Sequence, residues 1–148
     1  MSLKEQIFAD MKTAMREQNK SQLESIRLLR AAIQRKEVDD RVDLGDDEVL
    51  AILQKQIKQS QDAIRQFTEG DRPDLAKKEQ LHVENLQHYL PEQLSDDDIA
   101  SAVNDAISKT GAASMKDMGK VMGLLKGQLQ GRADMGKVSG IIKSKLQA

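Results

Sequence analysis

Apolar residues recur every three or four positions along most of this chain, and each such run predicts an amphipathic helix. Leu3, Ile7, Met11, Ala14 and Met15 form one stripe, with Phe8 beside it, and predict a first helix from about Ser2 to Gln18. After a break at Asn19-Lys20, Ser21 and Glu24 read as a capping box, the hydroxyl serving one free N–H and the carboxylate another. The second helix should reach about Glu37, with Leu23, Ile26, Leu29, Ala32 and Ile33 inward and Arg27, Arg30, Arg35 and Lys36 on the other face. An acidic loop with Gly45 follows, and Asp46 or Asp47 should cap a long third helix to about Glu69. Its stripe is Val49, Ile52, Leu53, Gln56, Ile57, Ile64 and Phe67, but its middle is so polar that one covered face, in a hairpin, is expected. Gly70 ends it. Pro73, in a first turn where its missing N–H costs nothing, restarts a fourth helix to about Tyr89, with Leu75, Val83, Leu86 and Leu90 inward.

Leu90-Pro91 forces an extended residue before the proline, so Pro91 to Leu94 reads as a joint between two modules, 1–90 and 91–148. Ser95 should cap a helix whose first turn is Asp96-Asp97-Asp98, three acids at the positive end of its dipole. Ile99, Val103, Ala106 and Ile107 face inward, and Gly111 stops it. Beyond lies an internal repeat. The segment Asp117 to Leu129 aligns with Asp134 to Leu146 at an offset of seventeen, identical at eight of thirteen positions. Each copy opens on an Asp suited to capping and continues with helical apolar spacing. Two short helices joined by a loop containing Gly131 and Arg132 are therefore expected. The fold class is all-α: a long-helix hairpin module of about four helices, then a small three-helix module.

Glycines recur in the repeat at 119, 123, 127, 136 and 140. A helix-interior Gly costs up to ~1 kcal/mol against Ala. Such a line therefore suggests close approach of another backbone, a neighbouring helix being favoured over a nucleic-acid strand.

Composition narrows the chemistry. Aromatics are Phe8, Phe67 and Tyr89 alone, and the absence of cysteine removes disulfides, thiolate metal sites and cysteine nucleophiles. No apolar run approaches the ~20 residues of a membrane span, and the N-terminal residues do not resemble a signal peptide, so a cytoplasmic protein is expected. The only histidines are His82 and His88. Glu79 and His82 make one E-x-x-H unit, where a di-iron bundle needs two. No catalytic residue, metal site or cofactor is expected, and Glu84 with His88 reads as a solvent-side pair. From Ala112 onward, seven Lys or Arg stand against two Asp, whereas the whole chain has a net charge of −1. That asymmetry bears on partners rather than fold.

The run DMGKVMG…LKGQLQGRADMGKVSGIIKSKL, preceded by Tyr89-Leu90-Pro91-Glu92-Gln93-Leu94-Ser95, resembles the YqeY family over essentially the whole chain. That family is related to the tail domain of the GatB subunit of tRNA-dependent amidotransferase. The resemblance implies a non-catalytic accessory protein that binds tRNA or other structured RNA through its C-terminal module. Any carbon–nitrogen ligase role, with glutamine as amido donor, would come by association with an aminoacylation or amidotransferase component. The RNA contacts would be Lys120, Lys126, Arg132, Lys137, Lys143 and Lys145, with Gly127 and Gly131 allowing close approach and helix N-termini offering N–H groups to phosphates. Without aromatic platforms in this module, folded shape rather than base sequence would be read. The alternative is a protein–protein adaptor or homo-oligomer that uses the long hairpin.

Overall fold

The computed structural model describes residues 1–147, which are all-α with no strand among them. Two compact units divide between Leu90 and Pro91.

The first unit contains α1 (Leu3–Arg16), α2 (Lys20–Asp40), α3 (Asp46–Glu69) and α4 (Pro73–Gln87). Ser2 caps α1 in a full capping box: its Oγ accepts from Glu5 N–H at 3.2 Å, and Glu5 accepts from the Ser2 N–H at 3.1 Å. The box expected at Ser21 and Glu24 is not formed. Asn19, an equally good cap, precedes it and accepts from Gln22 N–H at 3.2 Å. Ser21 falls inside the first turn, and its hydroxyl accepts from Asn85 of α4 at 3.0 Å. Helix α2 also outruns its expected end at Glu37 and closes on Arg41, in the left-handed region at φ 55°.

Neither Asp46 nor Asp47 caps α3. Gly45 holds that position and donates to Glu48 at 3.1 Å, while Asp46 accepts from the free N–H of Leu3 at 2.9 Å. Glu37 accepts from both the Lys4 ammonium, at 2.7 Å, and Leu44 N–H, at 2.9 Å. Lys4 also pairs with Asp43; the two carboxylates raise its pKa, and Lys4 in turn lowers that of Asp43. The start of α1 is thereby fastened to the α2–α3 loop.

One apolar cluster draws on all four helices: Ile7, Ile26, Leu29, Ile33, Val49, Leu53, Ile57, Val83 and Leu86, with Leu44 and Tyr89. The buried residues of α3, Val49, Leu53, Ile57 and Ser60, lie on one side of the helix, as expected, though α1 and α2 as well as α4 pack against it; its distal Ile64 and Phe67 are only half-buried. Tyr89 closes the unit, its hydroxyl donating to Asp10 at 2.5 Å. Burial, with the Asp10 carboxylate beside it, raises the phenol pKa well above its usual 10.0.

The second unit contains α5 (Asp96–Thr110), a 3-10 turn (Met115–Asp117), α6 (Met118–Leu129) and α7 (Met135–Gln147). Ser95 caps α5 through Asp98 N–H at 3.1 Å, and Gly111 ends it at φ +66°. Ile99, Val103, Ala106, Val121, Leu125, Leu129, Val138, Ile142 and Leu146 form its core. Gly131 turns the α6–α7 connection at φ +81°, a region that L side chains avoid. Its carbonyl accepts from Gln93 at 2.6 Å, and the Arg132 carbonyl accepts from Leu94 N–H at 2.9 Å. Gln93 and Leu94, expected in a joint, are therefore pinned to the second unit.

Candidate nucleic-acid interface

The repeat is structural as well as sequential. Val121, Leu125 and Leu129 of α6 and Val138, Ile142 and Leu146 of α7 occupy matching positions, and all six are buried. At 100° per residue, Gly119, Gly123 and Gly127 fall on the opposite side of α6, with Lys120 and Lys126 at the two margins of that line. Gly136, Gly140 and Ser144 do the same in α7, with Lys137 and Lys143 at the margins. Every one of these residues is exposed.

A Cβ added at Gly119, Gly123, Gly127 or Gly140 would meet nothing within 4 Å; at Gly136 it would meet only Asp134 Oδ1, at 3.3 Å. The expectation that these glycines admit a neighbouring helix is therefore corrected. The large apolar residues of each copy take the core side, and at helical spacing this turns the glycines outward.

The candidate cations divide by engagement. Lys120, Lys126 and Lys143 are exposed and Arg132 is half-buried; none of the four has an ion pair with a described residue. Lys137 pairs with Asp96 at the start of α5, and Lys145 donates to Asn104 of the same helix. Gly127 lies on the open line of α6, whereas Gly131 is buried with its carbonyl committed to Gln93. Each helix turns its glycine line away from the shared core, so α6 and α7 each offer a similar outward face. From Pro91 on, eight Lys or Arg stand against seven Asp or Glu, so the basic character belongs to these faces and not to the whole unit.

The Asp cap expected at the start of each repeat helix is absent from α6 and present at α7. Asp117 does not cap α6; it reaches back to the N–H groups of Ala113 and Ser114, at 2.9 and 3.3 Å, and these bonds lower its pKa. Asp134 accepts from Gly136 N–H at 2.9 Å. A carboxylate thus occupies the start of α7, where a phosphate was expected to sit, and would repel one.

Among the described residues, no three metal-capable side chains stand together. His82 Nδ1 lies 2.9 Å from Ser25 Oγ, which also receives Asn85 Nδ2 at 3.1 Å. Desolvation lowers the His82 pKa. Glu84 accepts from Gln80 instead of pairing with His88; His88 is the C-cap of α4, and its ring lies tilted against Tyr89 with centroids 4.1 Å apart. Sequence reasoning missed the buried Ser25 and Ser60. Their signal was present: each sits at core register, next to Ile26 in α2 and one turn after Gln56 in α3.

Residues 4–146 match the family described as Yqey-like protein, and the chain belongs to that family. Among individual proteins, it is 33% identical over 127 residues to "Altered inheritance of mitochondria protein 41, mitochondrial" of Pyrenophora tritici-repentis, a match spanning 84% of this chain and 70% of the relative. The protein of the same name in Vanderwaltozyma polyspora is 31% identical over 117 residues, spanning 74% of this chain and 63% of that one. An uncharacterized protein of Schizosaccharomyces pombe is 44% identical over 50 residues, covering 34% of this chain and 41% of its own length.

Proposed function

We propose that this protein is a non-catalytic accessory factor that holds structured RNA, tRNA foremost, on the outward faces of α6 and α7. The observation that carries this reading is bare glycine backbone flanked by lysines, made twice by the repeat, with Lys120, Lys126 and Lys143 free of ion pairs. Exposed helix-interior glycines cost up to ~1 kcal/mol each against Ala, and no contact inside the unit offsets that cost. A ligand that comes closer than a side chain would permit, and that is negatively charged, accounts for both features at once. A sugar–phosphate backbone is such a ligand. Lys120, Lys126 and Lys143, with Arg132 at the connection, take the phosphates; Lys137 and Lys145, tied to α5, set the edge of the contact. The resemblance to the amidotransferase tail points to tRNA and to an aminoacylation or amidotransferase partner.

The test is a fluorescence-anisotropy titration of the full chain with tRNA at about 50 and 200 mM salt. Four phosphate contacts give a slope of about −2.8 to −3.6 in log affinity against log salt, or roughly a 50- to 150-fold loss across that interval. Absence of binding at the lower salt, or affinity indifferent to salt, refutes the reading.

A further inference from the structure

A groove of about 560 Å³ runs between α2, α3 and α4 and is lined by residues of the first unit, none of them assigned to RNA above. Ala31, Ala32 and Ala63 give it a low apolar floor, with Leu28 and Leu81 at its edges, both exposed. Its wall carries one enclosed polar atom that the fold leaves unsatisfied, with a hydroxyl beside it. The Ser60 side chain is buried to 6% exposure, lines the groove, and has no hydrogen-bond partner. One turn earlier, Gln56 also lines it; its Oε1 is enclosed and without a donor, and its Nε2 makes only a 3.4 Å bond to the Leu28 carbonyl. An orphaned buried acceptor is costly, so a donor brought to this amide is favoured.

The opposite wall supplies the complement. Asn85 donates to Ser25, so the single hydroxyl proton of Ser25 is free to go to His82 Nδ1. The role of His82 follows its tautomer: Nε2 donates when Nδ1 accepts from Ser25, and accepts when Nδ1 donates to it. The charged rim offers no net preference: Arg35 and Lys78 stand with Glu24 and Glu79, and Lys78 already faces Glu24 at 3.7 Å.

We infer that the α2–α3–α4 groove is a binding site for a small neutral molecule that presents an N–H donor beside a C=O acceptor on a flat apolar body, the chemistry of a cyclic or primary amide. The N–H goes to the Gln56 oxygen once its amide turns from Leu28, the C=O receives the Ser60 hydroxyl or, in its Nε2–H tautomer, His82, and the flat body lies on the alanine floor. Anions gain nothing from a rim whose charges cancel. The site is independent of the RNA reading, and each stands or falls without the other.

The experiment is an NMR titration of the ¹⁵N-labelled full chain with uracil and with nicotinamide, using benzoate as the anionic control. Shifts confined to α2, α3 and α4, with a dissociation constant of about 1 mM, are expected for the two neutral probes and not for benzoate. Gln56→Leu should weaken binding at least tenfold. Ala31→Phe, at an exposed floor position, should abolish it while leaving the spectrum of the rest of the unit folded. No shifts up to 20-fold above that concentration, equal shifts with benzoate, or unchanged shifts in both variants would overturn the assignment. So would a self-associated dimer, detected by sedimentation, that Ala31→Phe dissociates, because a second copy would then be the occupant. Binding of the isolated nucleobase but not of a uridine-containing tetranucleotide supports a free small molecule as the occupant; tighter binding of the tetranucleotide overturns it.

Discussion

Gly123 and Gly140 stand seventeen residues apart at the same register of the two repeat helices, and a methyl group on either would touch no atom within 4 Å. The same helical geometry that buries Val121 and Val138 forces both glycines outward. Nothing inside the unit explains why either is not alanine.

Replacing each of them by Ala should therefore stabilise the protein by about 0.5–1 kcal/mol, through lower unfolded-state entropy and better helix propensity. Urea unfolding reads this directly. Stability left unchanged or lowered would mean that the helical glycines satisfy a contact within the fold. Larger replacements, Gly123→Gln with Gly140→Gln, should keep the fold and cut tRNA affinity, since they cover the bare backbone.

Gly131 should behave in the opposite way. It is buried at φ +81°, and its carbonyl holds Gln93. Gly131→Ala should cost roughly 1–2 kcal/mol from left-handed backbone strain alone. Equal stability in chemical denaturation would contradict this account of the α6–α7 turn.

His82 gives the first unit a pH dependence. Its folded pKa lies below the ordinary 6.5 because burial disfavours the charged ring. The unfolded chain then binds the proton more readily, so this contribution is fully present above about pH 6.5 and is lost as pH falls below it. His82→Gln should flatten the fall in stability between pH 7 and 5, measured by thermal unfolding across that range. An identical slope in the variant would remove His82 as its source.

Tyr89 acts at the other end of the scale. Its folded pKa is raised, so its contribution holds below about pH 10 and is lost as pH rises through and beyond the ordinary phenol value. Tyr89→Phe also leaves Asp10 without its 2.5 Å donor, a loss of about 1–3 kcal/mol at neutral pH. Alkaline titration of unfolding should show a shallower decline in the variant.

Much of this architecture was legible from spacing alone. Stripes such as Ile26-Leu29-Ile33 and Val121-Leu125 announced their helices, because burial of a 3.6-residue period leaves few other solutions. Caps were harder to read. Ser21 lost to Asn19, and Asp46 and Asp117 serve N–H groups outside their own helix starts, because a short polar chain takes whichever unsatisfied donor the tertiary structure brings nearest. The lysines of the candidate interface were visible as a cluster in sequence, yet which of them are free was not. Lys137 and Lys145 meet partners some forty residues earlier in the chain, a pairing that only the packing of α5 creates. The groove was hidden for a similar reason: Ser25, Gln56, Ser60 and His82 come from three helices, and each looked like an ordinary helix residue in its own segment.

The most direct measurement compares tRNA binding by two matched variants at low salt. The first is Lys120→Ala, Lys126→Ala, Lys143→Ala, which strips the unpartnered outward cations; the second is Lys137→Ala, Lys145→Ala, which removes the two tied to α5. The first should lose affinity at least tenfold and flatten the salt slope by about 3, while the second loses less affinity per charge removed. Equal loss per charge in the two variants, or wild-type affinity in the first, would contradict the claim that the outward faces of α6 and α7 hold the RNA.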